Sequence, residues 1–233
     1  MRFFVDDPKS GTALEKARAH VRALRLKPGE EFTLCDGARR DVVCRVTLAD
    51  RRETRFEILY ETENRAEPPY FLTVYLAYAK GERLEYSVQK CTELGASRFV
   101  LFPSRNCVAV PDEKGRDAKL ARLAAVVRSA AEQSGRGIIP QVTAAQSFEE
   151  AVRGAATAGL PLFPFERESV RTLKSALREA ATVSVMTGSE GGFTDAEAEF
   201  AVSAGLVSVT LGTRILRCDT APIAVCAAIG MSS

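Results

Sequence analysis

The chain has 233 residues, 46% apolar and 27% charged, with 16 glycines and 10 prolines; this excludes a disordered chain and suffices for one large core, or a small domain beside a medium one. Its net charge of +2 is too balanced to mark a nucleic-acid binder by itself, although arginine outnumbers lysine roughly threefold, a bias that suits bidentate phosphate contacts and base stacking and that GC-rich genomes also produce. No apolar run approaches the roughly 20 residues that span a bilayer, and the opening Met1-Arg2-Phe3-Phe4-Val5-Asp6-Asp7 carries no apolar signal segment.

The first 70 residues read as a small β-rich domain. A helix is expected over 13–24, strands over 31–35 and 41–48 around a turn at Asp36-Gly37, and a third strand over 57–60. Pro28-Gly29 marks another turn, and Pro68-Pro69 favours extended backbone at a boundary. From residue 71 the rhythm becomes an alternation. Strands are expected over 71–78, 98–102, 160–163, 182–187 and 206–211. Helices are expected where Leu84, Val88, Cys91 and Gly95 recur, and over 117–134, 169–180, 194–203 and 221–229. Such alternation implies an α/β domain over 71–233, with a mostly parallel sheet covered by helices on both faces. Ligands of such sheets bind beyond the strand C-termini.

The six cysteines, Cys35, Cys44, Cys91, Cys107, Cys218 and Cys226, include no CxxC pair, and His20 is the single histidine. No metal site is expected from that spacing. Most of the cysteines sit among apolar residues and read as small core side chains, which fits a reducing, cytoplasmic compartment.

Three segments carry candidate chemistry. Thr187 ends an apolar strand and leads into Gly188-Ser189-Glu190-Gly191-Gly192, after which Thr194 and Glu197 form a capping box. Glycines there allow a tight turn and a close approach to a ligand. The segment suits a nucleotide-like cofactor and equally suits an ordinary glycine turn; it is neither a dinucleotide fingerprint nor a P-loop. The second segment is Leu211-Gly212-Thr213-Arg214-Ile215-Leu216-Arg217, then Cys218-Asp219-Thr220-Ala221-Pro222. Arg214 or Arg217 could hold phosphate or a cofactor carboxylate, or pair with Asp219. The third, Glu132-Gln133-Ser134-Gly135-Arg136, ends a helix with Gly135 as C-cap; Gln133 and Arg136 could face an RNA, or simply cap and solvate the helix end. Near the N-terminus Arg18, His20, Arg22 and Arg25, then Arg39, Arg40, Arg45, Arg51, Arg52 and Arg55, form a basic stretch that suits phosphate contact or a solvated face. His20 has no Ser, Cys or metal partner that would make it a catalytic base.

Taken together these motifs resemble the bacterial 16S ribosomal RNA uridine-N3 methyltransferases, a branch of the knotted SPOUT methyltransferase class. The likeness runs over nearly the whole chain: Met1-Arg2, the stretch from His20 to Gly29, Asp36-Gly37, Gln89-Lys90-Cys91-Thr92-Glu93-Leu94-Gly95 for QKxTELG, and Glu132 to Arg136 for EQSGR. Ser104-Arg105-Asn106-Cys107-Val108 is similar to SERSV but departs at Asn106 and Cys107. Ser189 stands where the family has proline in GPEGG, and Cys218 and Asp219 depart from RTETA.

The resemblance implies a PUA-like β-barrel over residues 1–70 and a methyltransferase domain with a deep trefoil knot over 71–233, a feature that general rules disfavour. It implies a homodimer, S-adenosylmethionine as cofactor and small-subunit ribosomal RNA as substrate. The cofactor would be held by Thr187, Gly188, Ser189, Glu190, Gly191, Gly192, Leu211, Gly212, Ile215, Leu216, Arg217, Thr220 and Ala221. Arg136 and Arg217 would face phosphate or the developing anion on the base, with Glu132 or Glu190 as proton acceptor. Arg2, Arg22, Arg25, Arg105 and Arg136 would contact RNA. Two other readings stay open: a related knotted enzyme acting on transfer RNA or a ribose hydroxyl, and a non-catalytic RNA-binding or ribosome-assembly protein. A binding module would have no need for two cofactor loops.

Overall fold

The computed structural model describes residues 1–50 and 53–232, so Arg51 and Arg52 of the basic stretch lie outside the described residues. The chain divides into two compact units, one of Met1–Glu67 with Ala131–Ile139 and one of Pro68–Ala130 with Pro140–Ser233.

The first unit contains β1 (Arg2–Phe4), α1 (Gly11–Ala23), β2 (Glu31–Cys35), β3 (Arg40–Ala49) and β4 (Thr54–Glu63). They form a four-stranded sheet in the order β1-β2-β3-β4, with β1 parallel to β2 and the other pairs antiparallel. Period-two alternation sends Val42, Cys44 and Val46 of β3 and Phe32 and Leu34 of β2 inward, where Ala17 and Val21 of α1 cover them. Burial pushes the thiols of Cys35 and Cys44 up to about 11, which suits inert packing.

A polar network fastens the distant Ala131–Ile139 segment into this unit. Arg2 makes a bidentate pair with Asp41 at 2.5 and 2.7 Å. Asn64 Nδ2 donates to Asp41 Oδ2 at 3.1 Å and to the Gly135 carbonyl at 2.9 Å. Glu67 accepts from Arg136 Nη2 at 2.6 Å and from the Gly137 and Ile138 N–H groups at 3.0 and 3.1 Å. A Cβ at Gly137 would lie 2.8 Å from the Asn64 side chain, so only glycine admits this approach. Gly135 takes φ +80 as a helix C-cap, and the Arg136 N–H returns to the Ala131 carbonyl at 3.0 Å.

The second unit begins with β5 (Phe71–Ala77), α2 (Arg83–Glu93) and β6 (Arg98–Phe102), then α3 (Glu113–Ser134), whose last residues belong to the first unit. It continues with β7 (Gln141–Ala144), α4 (Phe148–Ala156), β8 (Leu160–Pro164), α5 (Leu173–Ala176), β9 (Thr182–Thr187), α6 (Asp195–Ser203), β10 (Val207–Val209) and α7 (Thr220–Met231). All six strands are parallel, in the order β10-β8-β9-β5-β6-β7. On β5, Tyr75 and Ala77 pack in a cluster with Ala151 and Ala155 of α4 and Met186 of β9, while Leu72, Val74 and Leu76 are buried on the opposite face. Both faces of the sheet are therefore covered.

Two expected elements are shorter than their periodicity suggests. The helix expected over 169–180 shrinks to Leu173–Ala176. The Glu168 carboxylate accepts from the Val170 and Arg171 N–H groups, and Leu173 N–H bonds the Thr210 carbonyl at 3.0 Å, which holds the preceding residues beside β10. The strand expected over 206–211 ends at Val209, before Gly212 takes φ +107. No helix of the described residues is long and apolar enough to cross a membrane, and none of their His, Cys, Asp or Glu clusters could hold a metal ion.

Candidate active site

The order of the second sheet decides where a ligand can sit. The chain moves outward from β5 through β6 to β7, returns to β8 on the other side, and then inserts β9 between β8 and β5. A cavity of about 280 Å³ opens where β8, β9 and β10 end, at their C-terminal side, the position such sheets reserve for ligands. Three loops line it: Pro164, Phe165 and Glu166 after β8; Thr187, Gly188, Ser189, Glu190, Gly192 and Phe193 after β9; and residues 210–218 with Ala221 after β10.

The loop after β9 is built for close approach. A Cβ at Gly188 would meet Gly192 backbone atoms at 3.2 and 3.3 Å and the Phe193 ring at 3.2 Å. Gly192 takes φ +64, the left-handed region that favours glycine. Thr194 then caps α6 in a full capping box with Glu197. Glu197, almost buried, also accepts from the Arg105 N–H at 2.7 Å and so ties the chain after β6 to this helix. Asn106 completes the brace: its Nδ2 donates to the Gly191 carbonyl at 2.9 Å, and Ser189 Oγ donates to the Asn106 carbonyl at 3.2 Å. Asn106 and Ser189, two of the positions at which the motif resemblance breaks, thus contact each other.

Glu190 is anchored from outside its loop. Its carboxylate accepts from the Lys80 N–H at 2.9 Å and from Arg83 Nη1 at 2.5 Å. Burial opposes its ionisation, but hydrogen bonds from its own N–H, from Lys80 and from Arg83, with the Arg83 charge, outweigh that, and the carboxyl lies below its ordinary range. A carboxylate held as an anion and occupied by three donors is a poor proton acceptor, so the arrangement favours organising the loop. The Cys218 thiol, lining the same cavity, is pushed up by burial and by the nearby Glu190 and Asp219 charges and stays protonated.

Arg217 and Arg214 are exposed on the third loop and line the cavity. No carboxylate lies within 4 Å of either among the described residues, since Asp219 accepts from the Thr220 hydroxyl instead. The Arg217 carbonyl accepts from both Thr220 and Ala221 N–H at 2.9 Å, fixing the loop against the start of α7.

The expected cofactor residues thus come together around one cavity, with two exceptions. Gly191 turns toward Asn106, and Thr220 does not line the cavity. The expected role of Arg136 does not fit its placement. Arg136 is 3% exposed and bound to Glu67 within the first unit, and a guanidinium committed to a buried ion pair cannot face RNA or a developing anion. Glu132 accepts from the Phe4 N–H at 3.3 Å in the same unit. Arg2 is likewise committed to Asp41, whereas Arg22, Arg25 and Arg105 are exposed. Sequence reasoning omitted Arg83, Asn106 and Glu166. Glu166 carries a usable signal, since it lies three residues beyond the end of an expected strand of a parallel sheet; Arg83 and Asn106 act through tertiary contacts that no local pattern encodes.

A ligand with an anionic group suits this cavity. The glycine cradle leaves room for it, Arg214 and Arg217 offer free cationic donors, and Thr187 Oγ1 is a buried hydroxyl with no hydrogen-bond partner among the described residues, which leaves it able to bond a ligand.

The family model for an RNA methyltransferase domain matches residues 66–230. The chain is 35% identical over 212 residues to the ribosomal RNA small subunit methyltransferase E of Mycobacterium bovis, covering 89% of this chain and 80% of the relative. With the protein of the same name from Bacillus subtilis it shares 28% identity over 92% of this chain and 87% of the relative. Among solved structures, ribosomal RNA small subunit methyltransferase E from Neisseria gonorrhoeae bound to S-adenosyl methionine superposes with a TM-score of 0.82 at 30% identity, covering 99% of this chain and 97% of that one. A methyltransferase of Legionella pneumophila in complex with the same cofactor superposes with a TM-score of 0.85 at 25% identity, with the same coverage.

Proposed function

The chain belongs to the ribosomal RNA small subunit methyltransferase E family of RNA methyltransferases, and we propose that it methylates N3 of a uridine in 16S ribosomal RNA with S-adenosylmethionine as donor. The observation that carries this reading is one cavity enclosed by the 188–192 and 210–218 loops, far apart in sequence and brought together by the crossing from β9 to β10.

Bound there, S-adenosylmethionine supplies an electrophilic sulfonium methyl. Main-chain groups of the two loops hold the nucleoside, and the braces from Asn106, Arg83 and Glu197 keep those loops in place before binding, so that little ordering remains to be done on association. Uracil N3 carries a proton and is a weak nucleophile while neutral. Arg217, cationic and free on the rim, would stabilise the negative charge that develops on the base as N3 gives its proton to solvent water and takes the methyl, with S-adenosylhomocysteine as the leaving group. Because N3 lies on the pairing edge, the target uridine enters unpaired or flipped out. Exposed Arg22, Arg25 and Arg105 contribute sequence-independent phosphate contacts.

In this reading residues 1–70 form a PUA-like RNA-binding domain, residues 71–233 carry the SPOUT trefoil knot, and the enzyme works as a cytoplasmic homodimer. The dimer is supported by α7, which is apolar on all sides but buries only Pro222, Val225, Cys226 and Ile229; Ile223, Ala224, Ala227 and Ala228 are half-buried and Met231 is 87% exposed. An apolar face of that kind marks an interaction surface.

Titration calorimetry with S-adenosylmethionine tests the cofactor, and mass spectrometry of 16S ribosomal RNA from a deletion strain, with and without the gene restored, tests the substrate. No heat of binding, or an unchanged methyluridine content, overturns the proposal.

A further inference from the structure

We propose that Glu166 recognises the ribose of the cofactor nucleoside, its two carboxylate oxygens accepting hydrogen bonds from the vicinal hydroxyls. This rests on the cofactor reading above.

Glu166 follows the last residue pair of the β8 end, on backbone fixed from both sides: Phe165 N–H donates to the Val209 carbonyl at 3.1 Å, and Glu168 N–H to the Phe165 carbonyl at 3.1 Å. Its carboxylate lies over Gly192, and a Cβ there would stand 3.3 Å from both Oε1 and Oε2. The glycine therefore clears the space that the carboxylate uses. The neighbouring Arg167 turns to Asp195 and leaves Glu166 alone.

The charges around the cavity separate by their partners. Glu190 is occupied by Arg83 and the Lys80 N–H. Glu166 lines the cavity and has no hydrogen bond or ion pair among the described residues. An ionised carboxylate is an acceptor only, with two oxygens able to take two donors side by side. The cofactor offers one matched pair of donors, the ribose diol, and one cationic amine. That amine shares its carbon with the carboxylate that Arg214 and Arg217 attract to the 210–218 loop, whereas Glu166, on the loop after β8, lies against Gly192 of the 188–192 loop. An acidic side chain just beyond a strand of an open parallel sheet is a physically sound ribose acceptor.

The test is calorimetric titration of the wild type, Glu166→Gln and Glu166→Ala with three ligands: S-adenosylmethionine, S-adenosylhomocysteine and 5′-methylthioadenosine, which keeps the ribose but lacks the amino-acid tail. Competition between adenosine and 2′-deoxyadenosine reads the diol directly. Loss of a charge-assisted pair predicts affinity about tenfold weaker for all three ligands in Glu166→Ala, a smaller loss in Glu166→Gln, and discrimination against 2′-deoxyadenosine that is strongest in the wild type and absent in Glu166→Ala. Weakening confined to the two ligands that carry the amine, weakening of the sulfonium ligand alone, or equal binding by wild type and variants each overturns the inference. If the wild type binds none of the three, the cofactor reading itself has failed. Glu166 is exposed, and unchanged thermal melting confirms that the variants fold.

Discussion

Arg217 and Arg136 are both arginines that motif resemblance places near the reacting base, and their surroundings separate them. Arg217 is free on the cavity rim, so Arg217→Ala should lower methyl transfer by about 100-fold, on the scale of removing one preorganised charge or donor, while leaving the melting temperature unchanged. Arg136 is locked to Glu67 in a buried pair, so Arg136→Ala should lower stability by about 3 kcal/mol or more, read as a fall in the denaturation midpoint. Asp41 makes a related prediction in pH. Burial works against its ionisation, but hydrogen bonds from Arg2 and Asn64 and the Arg2 charge prevail, and its carboxyl lies below the ordinary value. A carboxyl lowered on folding stabilises the protein above its unfolded value, near 4, and that contribution disappears as pH falls through the folded value. Asp41→Asn should therefore be less stable at neutral pH and show a flatter loss of stability below about pH 4. At this scale the sequence could name residue types and motifs but not partners: nothing local distinguishes an arginine facing solvent from one facing a carboxylate 69 positions away.

Among elements, legibility followed periodicity. The strands β2, β6 and β9 coincide with the expected 31–35, 98–102 and 182–187, because each is a short apolar run bounded by turn or charged residues. The capping box of Thr194 and Glu197 was readable from spacing alone and is present. Thr194→Ala should cost about 1 kcal/mol, measurable in chemical denaturation, and should also weaken cofactor binding because α6 carries the end of the glycine loop. The stretch between residues 135 and 159 carries no expected element, yet Phe148, Ala151, Val152 and Ala155 recur at helical spacing behind a Ser147 cap and form α4. The helix expected over 169–180 failed for the opposite reason, since side-chain and main-chain bonds to Glu168 and Thr210 hold the segment in another shape. The exposed side of α7 yields the remaining prediction at this scale. Ala227→Arg should shift the protein to monomer in light scattering if that face joins two copies.

For the molecule as a whole, alternation of strands and helices after residue 70 was enough to imply a parallel sheet and a ligand site at its C-terminal edge. Strand order was not available that way, because β9 enters between β8 and β5 without any local mark. Nor could periodicity show that Ala131–Ile139 completes the first unit, since its membership rests on Glu67, Asn64 and Gly137 meeting across long sequence distances. The motif Glu132 to Arg136 is legible as a unit, but its partners are not. It turns and fastens the chain.

That fastening has a bearing on biosynthesis. When the first 67 residues have emerged from the ribosome, Glu67 still lacks Arg136 and Asn64 still lacks the Gly135 carbonyl; both arrive only after roughly seventy more residues, several seconds later at ordinary translation rates. The nascent N-terminal portion must wait, open or loosely closed, while the opening strands and helices of its neighbour are already being made. Maturation of this enzyme is therefore interleaved, each portion depending on chain that the other interrupts, and neither can be finished in simple succession.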